Sequence, residues 1–164
     1  MNSAKVIIIG AGPVGTFVAY CLAEYGIETI LLESETSCET DMRASTFHPS
    51  TLKYLDNLNL ANELIDKGLK APIFQYRIRA TDEILEFNLE ELSDVLDFPF
   101  RLQCEQYKFA RMLADKLDNH KYSSVMFNRE LISFSDAGNK VKLKVDHKGI
   151  GEDYECDYLI GADG

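Results

Sequence analysis

Cationic side chains are scarce in this sequence. It has 17 lysines and arginines against 27 aspartates and glutamates, a formal charge of −10 over 164 residues. Such a chain repels phosphate backbones and acidic lipid surfaces alike, which argues against nucleic acid or a membrane surface as a partner. Cysteine is also sparse. Cys21, Cys38, Cys104 and Cys156 lie far apart, with no C-x-x-C pair and no histidine spaced to complete a zinc site, so neither a metal centre nor a disulfide framework is expected. A reducing cytoplasm fits that pattern. No apolar run reaches the roughly 18 residues a membrane helix needs. Lys5 and the apolar residues after it only imitate a signal peptide, because Gly10, Gly12 and Pro13 interrupt them. Internal repeats and low-complexity linkers are missing as well. The composition, 46% hydrophobic and 27% charged, is that of a soluble globular protein with one real core.

The hydrophobic pattern is that of an α/β protein. KVIII, residues 5 to 9, is a short β-branched run ending at glycine, as in a strand buried on both faces of a parallel sheet. Val14, Phe17, Val18, Cys21, Leu22 and Tyr25 then recur at helical spacing up to a stop at Gly26. ETILLE, residues 28 to 33, makes a second strand and completes a βαβ unit. Helices are predicted around residues 50 to 58, opened by Pro49 and Ser50, and 60 to 67, with a turn at Asn57 to Asn59. IFQYRIR at 73 to 79 alternates strictly and pairs across TDE with ILEFNL, a hairpin leading into a loop around ELSDVLDFP. Helical spacing returns from Gln103 to Leu117. The last part is β: SSVMF, LISF, KVKLKV with Val141, Leu143 and Val145 on one face, and DYLIG.

The chemistry lies in the first turn. A strand runs directly into Gly10-x-Gly12-x-x-Gly15, with Pro13 and Val14 opening the helix that follows. The first glycine makes the tight turn, the second lets a pyrophosphate approach the backbone, and the third allows close packing of helix on strand, while the helix N-terminus favours the anion. Glu33, 18 residues past Gly15 at the end of the second strand, is placed to accept hydrogen bonds from adenosine ribose hydroxyls. A carboxylate there repels a 2′-phosphate, so FAD or NAD is expected at this site rather than NADP.

Three further segments follow VIIIGAGPVG in order: MRASTFHPSTLKYLDNLNL, FRLQCEQYKFARML and CDYLIGADG. Together they resemble the FAD-binding half of the flavoprotein aromatic hydroxylases, the family of para-hydroxybenzoate and phenol hydroxylases, over essentially the whole chain. The resemblance implies a Rossmann-like FAD-binding domain over 1–164. Its parallel sheet would carry an antiparallel β-meander, and residues 72–100 would be a hairpin and loop excursion towards an incomplete substrate domain. It also implies that Arg43 reaches the FAD pyrophosphate, that Gln103 contacts the cofactor as it enters the next helix, and that Asp163 serves FAD binding and NAD(P)H use. In the family the Asp-Gly motif continues to a serine and an arginine, so the chain is expected to be cut short within it and to be inactive alone.

The implied activity of the intact protein is hydroxylation of a small aromatic substrate with NAD(P)H as transient reductant and oxygen. Rival readings are another FAD-dependent oxidoreductase of halogenase, cyclase or prenyl reductase type, or a non-catalytic nucleotide-binding module that assembles with a second polypeptide or as a homo-oligomer. No catalytic residue and no metal ligand is assigned. His48 reads as part of a loop leading into a helix, and Phe74, Tyr76 and Phe87 read equally well as the lining of a substrate pocket and as a hairpin face packed on the core. His120 and His147 read as surface residues.

Overall fold

The computed structural model describes residues 2–38, 40, 44–136 and 138–164. Arg43 lies outside the described residues. In chain order the elements are β1 (Asn2–Ile9), α1 (Pro13–Glu24), β2 (Thr29–Leu32), β3 (Thr46–Phe47), α2 (Pro49–Asp56), α3 (Ala61–Ile65), β4 (Leu69–Ala71), β5 (Ile73–Ile78), β6 (Glu83–Asn88), β7 (Arg101–Gln103), α4 (Gln106–Asp118), β8 (Ser123–Met126), β9 (Glu130–Asp136), β10 (Val141–His147) and β11 (Ile150–Gly161). They fall into two compact units, Met1–Asp41 with Phe109–Gly164, and Met42–Lys108.

The first unit is built on a sheet in the order β8-β2-β1-β11-β10-β9 among the described residues. β8, β2, β1 and β11 run parallel, and β11 turns back antiparallel onto β10, which pairs with β9. This is the Rossmann-like α/β arrangement expected from the βαβ pattern. The continuous apolar run of β1 is explained by burial on both faces. Val6 and Ile8 pack with Ala19 and Ala23 of α1 and with Ala110, Ala114 and Leu117 of α4. Ile7 faces the other way, onto Ile30, Leu32, Leu143, Val145 and Tyr154. The antiparallel meander therefore supplies the cover for the second face, and each fully buried aliphatic side chain contributes about 1.5–3 kcal/mol.

Helix α1 departs from the predicted face. The structure buries Gly15, Thr16, Ala19 and Ala23, whereas Val14 is 64% exposed and Tyr25 is exposed. Val18 and Leu22 are only partly buried against the core. The cause is Gly15: a Cβ there would overlap the carbonyl oxygen of Gly10. The helix is drawn so close to the strand that only small residues fit between them. It ends as predicted, with the Gly26 N–H bonded to the Ala23 carbonyl at 2.8 Å.

In the second unit β7 lies between β3 and β4, while β5 and β6 pair, among the described residues, only with each other. Pro49 sits in the first turn of α2, where its missing N–H costs no hydrogen bond. His48 is the N-cap residue without a side-chain cap, consistent with a loop leading into a helix. The hairpin register places Phe74 opposite Phe87 and Tyr76 opposite Leu85. Of the two readings of its aromatic face, packing on a core is not what the structure shows: Tyr76 is 62% exposed and Phe87 46%. The ribbon's rings pack on one another and under a cation: Phe74 and Phe87 stack at 5.0 Å between centroids, and the Arg101 guanidinium of β7 lies 4.4 Å from the centre of the Phe74 ring.

Candidate functional site: the glycine turn and Glu33

The site is built where β1 ends. Gly10 has φ +100, a left-handed value that side chains rarely adopt, and a Cβ on it would come within 2.6 Å of the Ala162 carbonyl oxygen and 2.8 Å of the Asp163 Cα. The first turn therefore lies directly against the GADG turn that follows β11. The Ala162 N–H donates to the Ile9 carbonyl at 2.8 Å, which fixes the two turns side by side. Parallel pairing of β1 with β11, in which Ile9 is matched to Gly161, brings about this approach.

Gly12 behaves differently. Its φ of −70 is open to any residue, and a Cβ on it would meet nothing within 4 Å among the described residues. The packing of the described residues does not need glycine here. The space in front of Gly12 faces the start of α1, which has no side-chain cap and no acidic residue in its first turn. Pro13 occupies that turn, and the N–H groups of Val14 and Gly15 have no helical acceptor. Thr16, fully buried, donates its hydroxyl back to the Gly12 carbonyl at 2.8 Å and holds the turn's shape.

Glu33 closes the other side. Its Oε2 accepts the Ala11 N–H at 2.7 Å, and its Oε1 accepts the Glu35 N–H at 2.9 Å and the Ser34 hydroxyl at 3.1 Å. A carboxylate has about four lone-pair positions, so three chain donors leave room for a ribose hydroxyl. The open cradle at Gly12, the uncapped helix start and a carboxylate held at the strand end together fit the adenosine and pyrophosphate portion of FAD.

The structure thus brings together Gly10, Gly12, Pro13, Val14, Gly15, Glu33 and Asp163, all within one unit. Gln103 belongs to the other unit. It was expected at the start of a helix but is the last residue of strand β7, paired with Thr46 and Leu69. Its Oε1 accepts the Thr46 hydroxyl at 3.1 Å, which turns the amide N–H groups away from Thr46. Helix α4 begins only at Gln106, because the Cys104 and Gln106 N–H groups are taken by the Ser45 and Ala44 carbonyls.

Sequence reasoning missed Ala11, whose role is carried by its backbone N–H and so has no signature in residue type. Sequence reasoning read His120 and His147 as surface residues and did not see their acidic neighbours. Both are half-buried, with His120 Nε2 3.8 Å from Glu24 and His147 Nδ1 3.1 Å from Glu152. All four cysteines are free thiols. Burial pushes each of them up, Cys38 to about 11 with the Glu33 charge adding to the effect. Among the described residues no helix is long and apolar enough to cross a membrane.

Residues 3–164 match the FAD binding domain family. The 6-hydroxy-3-succinoylpyridine 3-monooxygenase of Pseudomonas putida is 29% identical over 160 residues, a match covering 98% of this chain and 41% of that enzyme. The crystal structure of p-nitrophenol 4-monooxygenase from Pseudomonas putida superposes with a TM-score of 0.92 at 22% identity, over 100% of this chain and 42% of that one. A myxobacterial chondrochloren halogenase, described as a variant of the FAD-dependent halogenases, shares the fold with a TM-score of 0.86 at 21% identity, over 100% of this chain and 38% of that one. The chain therefore spans less than half the length of each of these proteins. With nearly all its residues matched, the chain belongs to the FAD binding domain family.

Proposed function

We propose that the whole protein is an FAD-dependent monooxygenase that hydroxylates a small aromatic substrate, with this chain holding the adenosine diphosphate portion of the cofactor. The observation that carries the reading is the approach to Gly12, open among the described residues, in front of an uncapped helix start and flanked by the Glu33 carboxylate. The N–H groups of Val14 and Gly15 would donate to the pyrophosphate, Gly12 would let it come close, and Glu33 would receive a ribose hydroxyl. Gly10 keeps the turn against Asp163, whose carboxylate would serve the middle of the cofactor. Gln103 and Arg43 are assigned to the cofactor by family resemblance, Arg43 as a planar donor for the pyrophosphate.

When bound, the flavin supplies the redox chemistry, taking electrons from NAD(P)H and using oxygen. The residues of this chain bind and orient it. The hairpin within residues 72–100, with its exposed aromatic rings, is assigned to the substrate side of the protein. Support for an aromatic substrate comes from the relatives, among them the para-nitrophenol 4-monooxygenase of a Pseudomonas species, 23% identical over 159 residues.

A fluorescence titration of the chain with FAD, repeated in excess NAD, tests the binding part. Saturable binding that NAD does not displace supports the reading, and binding of NAD in preference to FAD overturns it. Product analysis with the full-length protein tests the chemistry: a halogenated product rather than a hydroxylated one would move it to the halogenases.

A further inference from the structure

The connection between β8 and β9 crosses directly over Glu33. The Glu33 N–H donates to the Met126 carbonyl at 3.0 Å, the Arg129 N–H donates to the Glu33 carbonyl at 2.7 Å, and the Asn128 N–H donates to the Glu35 carbonyl at 2.9 Å. Asn128 has φ +57, so the segment turns sharply at its centre. The backbone of the acid expected to hold the ribose is thus gripped on both sides by residues 126–129.

That segment is anchored by a polar cluster at the edge of the meander. Arg129 donates from Nη1 to the Phe127 carbonyl at 2.9 Å and from Nε to Glu152 Oε2 at 3.3 Å. The hydroxyl of Tyr154, only 1% exposed, donates to the same Oε2 at 2.7 Å and lies 3.4 Å from Met126 Sδ. His147 Nδ1 is 3.1 Å from Oε1. Glu152 is therefore the hub, and its partners lead through Arg129 and Met126 to Glu33.

We propose that Arg129 and Glu152 are positioning residues for the nucleotide site: they hold the 126–129 turn, the turn holds the Glu33 backbone, and this sets where the Glu33 carboxylate meets Ala11 and a ribose hydroxyl. The inference rests on reading the glycine turn as a nucleotide site, and it concerns residues outside that turn.

The test is amide hydrogen exchange of the chain, followed residue by residue, in the wild type and in Arg129→Met and Glu152→Gln. The Ala11 amide, bonded to the Glu33 carboxylate, should exchange about tenfold faster in each variant, while the Ile8 amide within β1 keeps its protection. Affinity for FAD should fall by about the same factor, and adding Glu33→Gln should then cost less than it does in the wild type. An unchanged Ala11 rate overturns the proposal. So does equal acceleration at Ala11 and Ile8, which would mean that the pair supports the whole sheet rather than the site. If Ala11 responds as expected but even the wild type fails to bind FAD, the positioning role stands and the nucleotide reading fails.

Discussion

The Ala11 N–H and the Glu33 carboxylate meet at 2.7 Å across the opening where β1 and β2 end. One carboxylate thus holds the glycine turn in shape and faces the place expected for a ribose. Replacing Glu33 by Gln keeps the side chain's size but removes the charge that strengthens its hydrogen bonds. The expected result is about tenfold weaker FAD binding, read by fluorescence titration.

Gly12 and Gly15 are predicted to fail in opposite ways. Gly12→Ala adds a Cβ into open space at an ordinary φ, so stability should change by less than about 0.5 kcal/mol, while FAD affinity drops at least about tenfold as the methyl blocks the pyrophosphate. Gly15→Ala drives a Cβ into the Gly10 carbonyl oxygen and should destabilise the fold by about 3 kcal/mol or more, lowering Tm by on the order of 10 °C. Thermal unfolding and titration of both variants distinguish the two glycines. Equal loss of stability would refute the separation.

Glu152 should make stability depend on acid. The hydrogen bond from Tyr154 is the largest influence holding its carboxyl below the ordinary 4.5, helped by His147 and Arg129 and opposed by burial. A group whose pKa is depressed on folding stabilises fully above its unfolded value and loses that contribution as pH falls through the folded one. Urea unfolding should therefore show a stability loss beginning below 4.5 that is shallower in Glu152→Gln. An identical acid limb in both proteins would rule out this linkage.

The thiols should react in order of exposure. Cys38, Cys104 and Cys156 are buried, and Cys21 is half-buried. With burial raising all four thiols, a disulfide-exchange reagent at about pH 8 should label Cys21 first and the others only on unfolding. Mass spectrometry of the early product checks the assignment.

Local pattern carried much of this protein in its sequence. The β-branched run before Gly10, the spacing of three glycines, the acid after β2 and the alternation of Val141, Leu143 and Val145 each depend on neighbours a few residues away, and each is found where expected. What the sequence could not settle depended on distant partners. The apolar period of α1 did not reveal that its small residues face the strand, because the approach of Gly15 to Gly10 sets how near the helix comes. Gln103 lies on a strand because Thr46 and Leu69 pair with it, despite the helical spacing that follows. Nor could the sequence show that residues 126–129 grip Glu33, since that contact is made by backbone groups common to all residue types and is located only by the order and register of the sheet.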